Sequence, residues 1–112
     1  MNATSANLPR GDNEFVHAGL EMAPSTLVKP PRVAASPCAM ECKVTEIIRL
    51  KNKEGGNANN YLVVGEVVGV HLDPGFIKDG VVQITEIQPI ARCGGLADYT
   101  VLDELFQMTR PK

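Results

Sequence analysis

Arg92, Gly94 and Gly95, in the stretch ARCGG, set a permanent cation beside two residues whose backbone amides can turn toward an anion. That combination suits recognition of a phosphate or an electron-rich ring edge, and it equally suits a plain turn with a surface arginine. Tyr99 joins a flat apolar face to one polar handle, so it fits either stacking on a ring ligand or a half-buried place in a core. His71 precedes Asp73 on the same side of an extended chain, where a carboxylate can orient an imidazole for proton transfer or charge stabilisation. A strand-end histidine in a satisfied surface hydrogen bond is the structural alternative. Asn2, Thr4 and Ser5 offer hydrogen bonds from a segment that otherwise reads as a frayed terminus, and Arg32, held on rigid backbone after Pro30 and Pro31, points to contact with a partner subunit.

Cys38, Cys42 and Cys93 are odd in number and irregular in spacing, which fits reduced thiols better than a disulfide framework. Cys38 and Cys42 have no second Cys or His pair at ligand spacing, and His17 and His71 are isolated, so no metal is expected. No activated nucleophile, paired carboxylates or metal cluster points to hydrolysis.

The elements that must carry these residues are mostly strands. Residues 1–11 read as an extended polar arm. Asp12 and Asn13 offer caps for a turn or two of helix in EFVHAGL, which Gly19 should stop. Residues 23–37 hold Pro24, Pro30, Pro31 and Pro37 and predict an extended strap. A hairpin is expected over 39–72. Its first strand, AMECKVTEIIRL, places Met40, Cys42, Val44, Ile48 and Leu50 on one face and Glu41, Lys43, Thr45 and Arg49 on the other. The loop 51–60 then leads to YLVVGEVVGVHLD, where Leu62, Val64, Val68 and Val70, with Ile48, are the expected core. Gly65 and Gly69 share the opposite face, which lacks side chains to fill it and is expected to meet another strand's backbone or a ligand ring. In the C-terminal segment, 80–112, VVQITEI predicts a short strand and TVLDELFQM reads as helix or strand.

A chain of 112 residues holds one domain, and it buries about 65% of its unfolded surface. The hydrophobic share is 44% with aromatics only 4%, so its core must be aliphatic. A net charge of -2 gives no footprint for nucleic acid or an anionic membrane. The apolar run is too short to span a bilayer and carries Glu66, and the first residues lack a secretory pattern, so a cytoplasmic protein is expected. Short connections without a strand and helix rhythm imply a mainly β, small antiparallel barrel or sandwich.

The segments NATSANLPRGDNEFVHAGL, KPPRVAASPCAMEC, LVVGEVVGVHLD, PIARCGGLADY and ELFQMTRP, in this order, resemble the C-terminal part of the flavin reductase-like family. The resemblance covers nearly the whole chain. It implies a Greek-key split barrel, partial here because the family's opening strands have no counterpart, with one or two short helices. It also implies FMN as cofactor, NAD(P)H as possible reductant, and a homodimer or a complementary N-terminal half as partner. Arg92, Gly94, Gly95, Tyr99 and His71 become the cofactor-binding candidates. Many short-chain members carry Gly-Asp-His before the long strand, with its histidine associated with the nicotinamide; the matching residues here are Ala58, Asn59 and Asn60, so FMN binding has more support than nicotinamide use. The functional expectation is electron transfer between NAD(P)H and flavin in the complete form, and the alternative is a flavin-free β module that only dimerises or packs on another chain.

Overall fold

Asn13 ends the polar arm by capping a helix in the computed structural model, which describes residues 1–111. Its Oδ1 accepts the Phe15 N–H at 2.9 Å, satisfying one of the donors that a helix start leaves open. The helix, α1 (Glu14–Ala18), stops at Gly19, whose φ of 64° lies in the left-handed region, as expected. The arm before it is not extended throughout. Asn2–Ser5 form a 3-10 turn in which the Thr4 and Ser5 hydroxyls donate to the carbonyls of Met1 and Asn2.

The first of two compact units runs from Met1 to His71. Within it the strap doubles back on itself: β1 (Met22–Ala23) pairs antiparallel with β2 (Arg32–Val33), Met22 opposite Val33. Pro24, Pro30 and Pro31 fall between these strands, where no ladder N–H is required. Then follow β3 (Cys38–Lys51) and β4 (Asn57–Leu72), neighbours in a two-stranded sheet. Arg49 Nε reaches the Ala58 carbonyl, Thr45 Oγ1 the Val64 carbonyl, and Glu41 meets His71, so partners rise as β3 positions fall and the pair is antiparallel.

The connection is tighter than the expected loop over 51–60. Asn52 and Gly56 close it, with the Asn52 N–H donating to the Gly56 carbonyl and Asn52 Oδ1 accepting the Gly56 N–H, both at 2.8 Å. Gly55 sits at φ 81°, and Asn57–Asn60 therefore lengthen the strand.

The expected core is corrected. Leu62 is 50% exposed and Val70 60%, Val64 and Ile48 are also exposed, and Val68 is half-buried; no apolar side chain among the described residues is fully buried. Alternation identified two faces of the hairpin, but among the described residues β3 and β4 form a sheet of only two strands with no further strand beside them. At Gly65 the neighbour is backbone of another strand, the chain's own β3, and at Gly69 it is a side chain of the strap. A Cβ on Gly65 would stand 3.3 Å from Cys42 Cβ and 3.4 Å from the Lys43 carbonyl, and one on Gly69 would stand 3.2 Å from Leu27 Cδ1. The strap lies against Gly69, whereas Gly65 stays exposed beside its neighbour strand β3.

The second unit begins at Leu72. Asp73 caps a 3-10 turn, Pro74–Phe76, by accepting the Gly75 N–H at 2.9 Å. Strands β5 (Ile77–Lys78) and β6 (Val81–Val82) pair across Asp79 and Gly80, both at positive φ, the geometry a tight hairpin requires. VVQITEI is strand only at its start. Ile84–Ile87 turn into the short helix α2, which closes at Gln88 in the left-handed region, with Glu86 paired to Lys78 Nζ. Strands β7 (Ile90–Arg92) and β8 (Tyr99–Val101) pair antiparallel, Arg92 opposite Tyr99. Beyond Val101 the segment expected as helix or strand is neither through residue 111; Leu102 donates to the Pro89 carbonyl and no partner strand follows. The architecture is mainly β, built from antiparallel pairs with short helices, and no helix among the described residues is long and apolar enough to cross a membrane.

Candidate functional site

Glu41 is the most buried side chain described, 3% exposed, although strand alternation had placed it on the polar face. A buried carboxylate needs donors for its lone pairs. The strap supplies them: Glu41 Oε1 accepts the Thr26 N–H at 2.7 Å, and Oε2 accepts the N–H groups of Leu27 and Val28 at 2.5 and 3.0 Å. His71 Nε2 lies 2.5 Å from Oε1 and completes the set. The His71 imidazole, followed by the Thr26 amide, holds the Glu41 carboxyl at about 2, below its usual 4.5, against a desolvation that acts upward. The carboxylate is thus ionised throughout the neutral range. Gly69 lies beside this arrangement: a Cβ built there would make ordinary contact with the Glu41 Cβ at 3.6 Å and a tighter one with Leu27 Cδ1 at 3.2 Å.

His71 is oriented, but by a residue other than the expected one. Its partner is Glu41 across the hairpin, while Asp73 is occupied with the Gly75 amide. Its side chain is 27% exposed, so part of the ring remains accessible. Glu41 escaped the sequence reading because polar alternation on a strand normally means solvent. Counting positions outward from the Asn52–Gly56 turn would have set it opposite Val67, short of the Gly69–His71 end of β4 that it meets.

The second unit gathers the other candidates in one hairpin. Arg92 leaves β7 as Tyr99 enters β8, and Nη1 donates to Tyr99 Oη at 3.4 Å while Nη2 donates to the Leu96 carbonyl at 3.1 Å. The guanidinium carbon lies 5.7 Å from the centre of the Tyr99 ring, within cation–π range. A guanidinium has five N–H groups, so this exposed arginine retains donors for an anion. The turn is closed by the Cys93 N–H donating to the Asp98 carbonyl. Nothing stands within 4 Å of a Cβ built on Gly94, whereas one on Gly95 would collide with the Asp98 carboxylate. An anionic or electron-rich ligand edge therefore fits at Arg92 and Gly94, and reaches Gly95 only if Asp98 moves aside.

The remaining sequence candidates lie elsewhere. Thr4 and Ser5 spend their hydroxyls within the N-terminal turn. Arg32 Nε is buried without a hydrogen-bond partner among the described residues, beside a cleft of about 370 Å³ that Phe15, Pro30, Pro31 and Met40 help to line. Cys38, Cys42 and Cys93 are free thiols.

Comparison with known proteins gives these sites a setting. An uncharacterized protein of Halalkalibacterium halodurans is 32% identical over 111 residues, which are 99% of this chain and 52% of that protein. The structure of nitrilotriacetate monooxygenase component B from Bacillus cereus superposes with a TM-score of 0.83 at 30% identity, covering 96% of this chain and 52% of the other. A Shewanella frigidimarina protein with a split barrel domain gives a TM-score of 0.74 at 26% identity, with the same coverage. The chain thus spans about half the length of the relatives it matches, and its strands follow the flavin reductase split-barrel fold. A family model described as the flavin reductase like domain matches residues 1–85, most of the chain, and the chain belongs to that family.

Proposed function

We propose that this chain is part of a flavin reductase-like protein that, in its complete form, binds FMN and passes electrons from NAD(P)H to the flavin. The observation that carries this reading is the family match over residues 1–85, supported by the fold shared with a split-barrel flavin reductase neighbour. FMN, when bound, supplies the redox chemistry; the chain's residues bind and orient it. Arg92, with open space beside Gly94, would hold an electron-rich edge or phosphate, Tyr99 would offer a ring face, and Gly95 would let the turn close over Asp98.

The partner is a second copy or a complementary N-terminal half. Exposed Leu62, Val64 and Val70 are an apolar surface that a lone monomer in water leaves uncovered. The same exposure also favours the second reading, a flavin-free β module that acts by packing on another chain. Absorption spectra of the purified chain, alone and with a separately expressed N-terminal half of a relative, separate the two. Flavin bands that bleach anaerobically on adding NADH or NADPH are the expected result. Protein that stays colourless with added FMN in both preparations overturns the flavin reading.

A further inference from the structure

The geometry points to Glu41 as a positioning residue that fixes the hydrogen of His71 on Nε2 and leaves Nδ1 as the one imidazole atom offered to a ligand. Glu41 is ringed by donors. Three come from the consecutive N–H groups of Thr26, Leu27 and Val28, which cannot change their role. An ionised carboxylate only accepts, so the fourth neighbour, His71 Nε2, must carry a hydrogen whether the ring is neutral or charged. In the neutral ring that leaves Nδ1 with a bare lone pair; in the charged ring Nδ1 is a donor. Among the described residues Nδ1 has no hydrogen-bond partner, and the side chain keeps 27% of its surface. The carboxylate that sets the ring also ties the strap turn at 26–28, so the strap and the imidazole are placed by one group.

This inference rests on the flavin reading for its ligand class, a heteroaromatic edge that offers an N–H to Nδ1 of the neutral ring or a carbonyl to Nδ1–H of the charged ring, with FMN as the probe. The part about the tautomer stands without it.

The two residues that could replace the carboxylate act in opposite ways. In Glu41→Gln, the oxygen is best kept where two backbone N–H groups converge, those of Leu27 and Val28. The amide NH2 then faces His71 and the Thr26 N–H, giving up the Thr26 contact and donating to Nε2, which drives the hydrogen to Nδ1. In Glu41→Asp the group still only accepts, so Nε2–H is retained even if the shorter side chain weakens the tie to the strap. A purely structural role for Glu41 predicts no such inversion.

The test is a long-range proton–nitrogen spectrum of the imidazoles in the nitrogen-15-labelled chain, above the titration range of histidine. Only His17 and His71 contribute, and a His17→Gln variant assigns them. The expected result is a protonated Nε2 and bare Nδ1 at His71 in the starting chain and in Glu41→Asp, with the order reversed or mixed in Glu41→Gln. A bare Nε2, or a freely exchanging ring, in the starting chain overturns the positioning role. If Glu41→Gln does not fold, the starting chain and Glu41→Asp still decide it. Adding FMN should then move the Nδ1 signal and leave Nε2 in place. FMN that binds with Nδ1 unmoved overturns the ligand contact alone, whereas failure of FMN to bind either the chain alone or the chain with the N-terminal half of a relative overturns the flavin reading together with that contact and leaves the tautomer result intact.

Discussion

The Glu41 nest and the Arg92 hairpin hold charge in contrasting ways. Glu41 is buried, and every donor around it is committed: three backbone N–H groups and one imidazole. Arg92 is exposed and spends only part of its guanidinium, on a carbonyl and a phenol at the long end of hydrogen-bond distance. A charge saturated by the protein fixes the protein, and a charge left partly open is available to something else. The contrast suits the first site to placement and, under the proposed function, the second to binding.

The sharpest way to break this contrast is to empty the nest. Glu41→Leu strands the Thr26, Leu27 and Val28 amides and the His71 nitrogen without an acceptor, and it should give the largest fall in melting temperature of any single change here. Hydrogen exchange should locate the loss at residues 26–28. Exchange that stays slow there would mean that the carboxylate does not hold the strap.

Acid should undo the nest as well. The folded carboxyl is depressed to about 2 from 4.5, so its contribution is fully present above the unfolded value and is lost as pH falls from 4.5 toward 2. An acid unfolding curve should therefore steepen in that window, and Glu41→Gln should flatten it. A curve unchanged by the substitution would contradict the assignment.

Gly65 and Gly69 sharpen the comparison next, because the neighbours of one can yield and those of the other cannot. A side chain at Gly65 meets the Cys42 Cβ and the Lys43 carbonyl, whereas one at Gly69 meets the mobile end of Leu27. Gly65→Val should cost about 1–3 kcal/mol through overpacking, and Gly69→Ala should cost less. Chemical denaturation of both variants checks the order.

The smallest effect concerns the open hairpin face. Leu62→Asp in the chain alone should change stability by under about 0.5 kcal/mol, since Leu62 is 50% exposed. The same change should abolish assembly if that face is the one a partner covers. Light scattering and melting together distinguish these outcomes.

Local signals in the sequence were the most legible. Asn13 and Gly19 bounded the helix because caps act on neighbours a few residues away, and the hairpin over 39–72 followed from alternation and a glycine-containing connection. The ARCGG and Tyr99 candidates came together because they flank one turn. What was not legible depended on partners far along the chain. Glu41 looked like a solvent residue because the donors that bury it come from the strap, and Asp73 looked like the partner of His71 because it was near in sequence. Leu62 and Val70 looked like core because alternation marks a face and cannot tell what lies over it. Ile84–Ile87 read as strand because a four-residue helix is too short to show a helical period.

Fluorescence titration of FMN with the chain joined by the separately expressed N-terminal half of a relative, set beside the same titration of Arg92→Ala, tests the division of labour most directly. The account predicts saturable quenching by the starting chain and affinity about tenfold weaker in Arg92→Ala, the loss of one charge-assisted contact of about 1.4 kcal/mol, with the melting curve of the variant unchanged. Equal affinity in the two proteins, or a melting temperature that falls in Arg92→Ala as it does in Glu41→Leu, would contradict it.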